Sequence, residues 1–138
     1  MIAAFKARCR QAAIRITPQR IAVYNALLNS DDHPSAESLY RQVRKEFPNI
    51  SLDTVNRTLL TLAEIDAARI IPDSGDARRF DGNLAAHQHF ICVKCKRIVD
   101  FQYQPLDNIP VPATISSRFA VLRQGMIVEG ICDLCRSQ

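Results

Sequence analysis

Ala86-His87-Gln88-His89-Phe90-Ile91-Cys92-Val93-Lys94-Cys95 places two imidazoles, one residue apart, directly ahead of a Cys-x-x-Cys pair. Near the end of the chain, Cys132-Asp133-Leu134-Cys135 repeats the pair. Soft sulfur ligands and borderline nitrogen ligands thus share one short segment, which points to two metal sites of different character. Side chains alternate along a strand, so His87 and His89 share a face.

The sulfur site is the sharper of the two. A structural zinc ion takes four deprotonated N or S ligands in a tetrahedron. Cys92, Cys95, Cys132 and Cys135 supply two pairs, each able to turn both sulfurs toward one point, and residues 96–131 leave room for the elements between them. Such a staple supplies much of the folding free energy of a small domain. Disulfides or a redox thiol pair are the competing readings. Cys9, on an apolar helical face, is expected to be a core thiol.

The nitrogen and oxygen site draws on more distant residues. Asp81 precedes the histidine pair, Asp100 lies on the next expected strand, and His33 is the remaining histidine of the chain. Imidazoles with carboxylates suit Fe(II), Mn(II) or Zn(II) better than Cu(I). On spacing alone, unrelated surface residues remain the alternative.

The whole chain has 138 residues, enough for one domain or two small ones, and its 47% hydrophobic share is that of a globular protein. No apolar run reaches the length of a membrane span, and Met1–Lys6 lacks a signal-peptide pattern. The expectation is a cytoplasmic protein with no membrane association, whose cysteines stay reduced. The net charge is +4, but Lys6, Arg8, Arg10, Arg15 and Arg20 all come before the first acid, Asp31. That layout fits a polyanionic partner, with a solvated basic helix face as the plainer reading.

Residues 3–14 read as a helix. Thr17-Pro18 caps a second, running to about Asn29, and Ser35 caps a third with Ala36, Leu39, Tyr40, Val43 and Phe47 inward. Ser51 opens a fourth, with Leu52, Val55, Leu59 and Leu62 inward and Asn56 and Arg57 outward. Residues 68–72 and 77–80 form a hairpin pattern across the turn Asp73-Ser74-Gly75-Asp76, with Arg78 and Arg79 on the return strand. Short helices followed by a hairpin are the order of a winged helix-turn-helix, which puts one helix in the major groove. Asp81-Gly82-Asn83 reads as a hinge (residues 80–84). Beyond it, strands are expected at 89–93, 97–101, 121–123 and 126–131, an irregular Pro-containing stretch at 105–112 and a short helix at 113–118. The predicted class is α+β: a winged-helix domain over residues 1–81, then a small α/β domain over 85–138.

Taken together, Arg15-Ile-Thr-Pro-Gln-Arg20, His33-Pro-Ser-Ala-Glu37, Ser51-Leu-Asp-Thr-Val55, Arg79-Phe-Asp81, His87-Gln-His-Phe90 and the two Cys-x-x-Cys pairs resemble the ferric uptake regulator (Fur) family in order and spacing, over nearly the whole chain. The resemblance implies a homodimeric, metal-dependent transcriptional repressor that binds a two-fold DNA operator through its winged helix and dimerises through its C-terminal domain. It puts a structural zinc on Cys92, Cys95, Cys132 and Cys135, and a regulatory Fe(II) or Mn(II) on His33, Asp81, His87, His89 and Asp100. It assigns Asn56 and Arg57 to the major groove, and Arg15, Gln19 and Arg20 to backbone or minor-groove contact.

Aspartate at both 81 and 100, where ferric uptake regulators usually show glutamate, is similar to the peroxide-sensing branch. There, hydrogen peroxide reacts with Fe(II) and a histidine ligand is oxidised. The vulnerable positions would be His33 and His87. Ala86, Gln88 and Gln124 depart from a further metal site many members carry, and Asn56 replaces the family's usual tyrosine. Two rival readings are a sensor of iron or manganese level without oxidative inactivation, and a zinc hydrolase built on the His/Asp cluster.

Overall fold

The computed structural model describes residues 1–72 and 74–138; Asp73, the first residue of the expected turn, lies outside the described residues. The chain divides into two compact units, Met1–Leu84 and Ala85–Gln138.

The first unit holds four helices and a two-stranded antiparallel hairpin: α1 (Ile2–Gln11), α2 (Pro18–Leu28), α3 (Ala36–Val43), α4 (Leu52–Glu64), β1 (Arg69–Ile71) and β2 (Arg79–Asp81). Three of the four helices start on a hydroxyl cap. Thr17, Ser35 and Ser51 accept from the backbone N–H of Arg20, Ser38 and Thr54 at 3.2, 3.2 and 3.0 Å. Each such cap is worth about 1 kcal/mol. α1 ends earlier than its apolar pattern, because Ala13 turns to a φ of 57° and the Ile14 N–H closes onto the Cys9 carbonyl at 2.8 Å.

Helices and hairpin share one core, in which Val23, Leu39, Val55, Leu59 and Phe80 have essentially no exposure and Phe5 stacks on Tyr24 with centroids 4.4 Å apart. Burial of each large side chain is worth about 1.5–3 kcal/mol. Cys9 lies in this core, as its apolar face indicated. Leu52 does not. As the first residue of α4 it sits beyond the edge of the core and stays 43% exposed, which corrects its inward assignment. Phe47 lies past the end of α3 but still packs against the core. Gly82 passes so close to α2 that a Cβ there would stand 3.2 Å from Leu28 Cδ2.

The second unit is built on a three-stranded sheet in the order β4-β3-β5, from β3 (Gln88–Cys92), β4 (Ile98–Phe101) and β5 (Ile127–Gly130). β3 pairs antiparallel with β4 and parallel with β5. Short helices α5 (Gln104–Asp107), α6 (Ala113–Ser116) and α7 (Asp133–Arg136) connect and finish it. α5 lies where prolines suggested irregular chain: Pro105 occupies its first turn, where no N–H is needed. Residues 121–123 form no strand, and α7 has too short a pattern to read in advance. No helix among the described residues is long and apolar enough to cross a membrane.

Candidate metal centres

The four sulfurs sit where strand, knuckle and last helix of the second unit meet. Cys92 ends β3, Cys95 follows in the turn, Cys132 precedes α7 and Cys135 lies within it. The Cys95 Sγ lies 3.7 Å from the Cys132 Sγ, and all four sulfurs lie within 4.8 Å of one another. None forms a disulfide. A tetrahedron of thiolates about 2.3 Å from a central zinc has S···S edges of about 3.8 Å, which this arrangement fits.

The backbone prepares the site. The N–H groups of Cys95 and Cys132 donate to the Cys92 Sγ at 3.5 and 3.4 Å, and they bring its thiol down to about 6. The Cys132 thiol is also lowered, chiefly by the N–H of Cys135. Cys135 moves the other way, to about 12, because it hydrogen-bonds to Cys132 and is buried among neighbouring sulfurs. Holding all four sulfurs as thiolates in so small a volume requires a cation.

The knuckle is closed by Lys96 N–H to the Cys92 carbonyl at 2.9 Å, with Lys96 at a φ of 65°. Arg97 reaches Asp133 at 2.6 Å, tying the knuckle to α7. Each holds the other's charged form: the Arg97 guanidinium keeps the Asp133 carboxyl below its usual range.

The nitrogen and oxygen donors form a compact group in the second unit. His89 and Asp100 stand opposite one another in the β3–β4 register. The Nε2 atoms of His87 and His89 are 3.0 Å apart, and the Asp100 Oδ1 lies 3.7 and 3.3 Å from them. Two ligands at right angles, about 2.1 Å from one ion, would also be about 3.0 Å apart. His87 Nδ1 lies 2.7 Å from the Ala85 carbonyl, a partner that places the proton on Nδ1 and leaves Nε2 as a lone-pair donor.

The residue between the two histidines was not foreseen as functional. Gln88 points to the opposite face of β3 and is buried; its amide donates to Asp107 at 2.6 Å, while its oxygen accepts from the Tyr103 N–H at 3.0 Å. It pins α5 to the strand that carries the imidazoles.

In the first unit, His33 and Asp81 form a second group. His33 lies in the loop between α2 and α3 with a φ of 53°, and its Nε2 is 3.7 Å from the Asp81 Oδ2. The Asn83 N–H donates to the other oxygen of Asp81 at 2.9 Å. Both residues are buried.

The expected DNA-contacting residues lie on the first unit. Arg57 projects from α4 with 79% of its side chain exposed and pairs with Asp53 at 3.0 Å; Asn56 is half-buried beside it. Arg15 is exposed, whereas Arg20 folds back and donates to the Arg15 carbonyl. Gln19 is half-buried in the first turn of α2.

A family model described as the ferric uptake regulator family matches residues 11–128. The peroxide-responsive repressor PerR of Staphylococcus aureus (strain Mu50) is 38% identical over 132 residues, covering 96% of this chain and 89% of that protein. Among solved structures, a Campylobacter jejuni peroxide stress regulator matches with a TM-score of 0.69 at 25% identity, over 98% of both chains. The Helicobacter pylori ferric uptake regulator Fur, described as having three functional metal binding sites, matches with a TM-score of 0.80 at 21% identity, over 98% of this chain and 91% of that one.

Proposed function

This chain belongs to the ferric uptake regulator family, and from that premise we propose that it is a metal-dependent DNA-binding repressor that senses hydrogen peroxide. Members of the family are metal-responsive transcriptional regulators, not enzymes, and that sets aside the zinc-hydrolase reading. The observation that carries the proposal is the donor chemistry. Imidazole and carboxylate pairs occur at His33 with Asp81 and at His87, His89 with Asp100, apart from the four cysteines.

In this reading Cys92, Cys95, Cys132 and Cys135 hold a permanent zinc that fixes the fold of the second unit. His33, Asp81, His87, His89 and Asp100 form the regulatory site for exchangeable Fe(II) or Mn(II). Fe(II), when bound, supplies the reducing centre at which hydrogen peroxide is consumed and a ligand histidine, His33 or His87, is oxidised. The residues do the rest. His33 and Asp81 belong to the winged-helix unit and the other three to the second unit, so all five serve one ion only in one relative pose of the two. Couplings of this type are worth about 1–3 kcal/mol, or about 5- to 150-fold in affinity. Oxidation of His33 or His87 removes a donor, and that pose is lost.

Homodimerisation is proposed through the second unit. Leu134, Phe119 and Leu122 are 62, 56 and 89% exposed there, and β5 is an edge strand with Val128 40% exposed. Large apolar side chains exposed on so small a unit support a partner surface there. A homodimer presents α4 twice and so asks for an operator with two-fold symmetry, read in the cytoplasm by Asn56 and Arg57 in the major groove and by Arg15, Gln19 and Arg20 at its edge. A gel-shift titration against promoter DNA tests metal gating: binding rises on Mn(II) loading, and equal binding by apo and Mn(II)-loaded protein contradicts it.

A further inference from the structure

The return side of the hairpin carries two arginines, Arg78 and Arg79, with different surroundings. Arg78 is exposed. Arg79 turns toward the α2–α3 loop, where its Nε donates to the carbonyl of His33 and its Nη2 to the carbonyl of Asp32. The backbone continues the same stitching. The Phe80 N–H donates to the Pro34 carbonyl at 3.0 Å, and Ser35 and Arg79 form an isolated antiparallel bridge.

What is held in this way is unusual. His33 sits at a φ of 53°, in the left-handed region that non-glycine residues adopt uncommonly and at an energetic cost. The same strand that supplies the clamp supplies Asp81, two residues on and therefore on the same face of β2.

We infer that Arg79 is a positioning residue of the regulatory cation site: its guanidinium holds the Asp32 and His33 carbonyls so that the His33 imidazole faces Asp81. The inference rests on the reading of His33 and Asp81 as ligands. A planar fork with several N–H donors can serve two successive carbonyls at once; a lysine ammonium, a point charge on a flexible stem, holds them less firmly. Without the fork, the loop relaxes toward ordinary backbone angles and the His33 Nε2 leaves its place. The four-cysteine centre belongs to the other unit.

The test is a Mn(II) titration of the zinc-loaded full chain, read by the paramagnetic resonance signal of free Mn(II), with zinc content and thermal melting measured alongside. Arg79→Ala is expected to weaken Mn(II) binding about 10-fold or more, the scale of a released left-handed residue, while zinc content and melting stay as in the parent. Arg79→Lys should lie between the two. In a His33→Ala background, Arg79→Ala should cost nothing further, because the two act through one ligand. Parental affinity in Arg79→Ala, or an undiminished loss in the His33→Ala background, overturns the inference. If His33→Ala itself leaves Mn(II) affinity unchanged, the ligand reading fails instead. Should Arg79→Ala melt early, Arg79→Lys decides: weakened binding with normal melting supports the clamp, and parental affinity rejects it.

Discussion

The Nε2 of His33 stands 3.7 Å from the Oδ2 of Asp81, with the two side chains only 5% and 6% exposed. That separation is longer than a hydrogen bond and suits two donors on a shared cation. Removing either donor should therefore act on the cation. His33→Ala and Asp81→Ala should each weaken Mn(II) binding by at least the 10- to 100-fold seen for loss of a supporting partner, with zinc content unchanged. Equilibrium dialysis of the two variants against Mn(II) measures it.

Zinc removal should act on the second unit alone. Cys92 accepts two backbone N–H bonds as well as its place in the sulfur cluster. Cys92→Ser is expected to lower zinc from one per chain to none and to unfold residues 85–138, because site formation and folding are one equilibrium in so small a unit. Hydrogen exchange should show the helices of the first unit still protected. A zinc-free variant with a fully protected sheet would remove the structural role from these cysteines.

Gln88→Leu should destabilise the second unit by about 1–3 kcal/mol, since it leaves the Asp107 carboxylate and the Tyr103 N–H without the partner they now have. Chemical denaturation of the zinc-loaded protein gives the number. A change below a few tenths of a kcal/mol would mean that water replaces the amide at no cost.

On α4 the roles of Asp53 and Arg57 separate cleanly. Their exposed pair contributes no more than about 0.5 kcal/mol to the helix, so neither Asp53→Ala nor Arg57→Ala should shift the melting temperature appreciably. Arg57→Ala should nonetheless weaken operator binding by about 10-fold or more, the scale of one base contact. Unchanged operator affinity, measured by fluorescence anisotropy, would remove Arg57 from the interface.

The features legible in the sequence are those encoded locally. Thr17, Ser35 and Ser51 announce their helices because a cap acts within three residues, and the i, i+2 spacing of His87, just ahead of β3, and His89, within it, brings their Nε2 atoms to 3.0 Å. The two Cys-x-x-Cys pairs announce a sulfur cluster for the same reason. Leu52 misled because helical spacing does not say where the core ends, and residues 121–123 misled because β-propensity cannot supply a pairing partner. The bonds of Arg79 and Gln88 were invisible: each joins groups distant in sequence through hydrogen bonds that leave no period or motif.

Peroxide sensing itself is tested most directly by peptide mass mapping after peroxide treatment of Fe(II)-loaded protein, beside a Mn(II)-loaded control. The account predicts a gain of one oxygen atom on the peptide carrying His33 or His87, only in the Fe(II) sample and together with loss of operator binding. Unmodified His33 and His87 peptides from Fe(II) protein that still binds its operator after peroxide would contradict it, and leave a sensor of metal level.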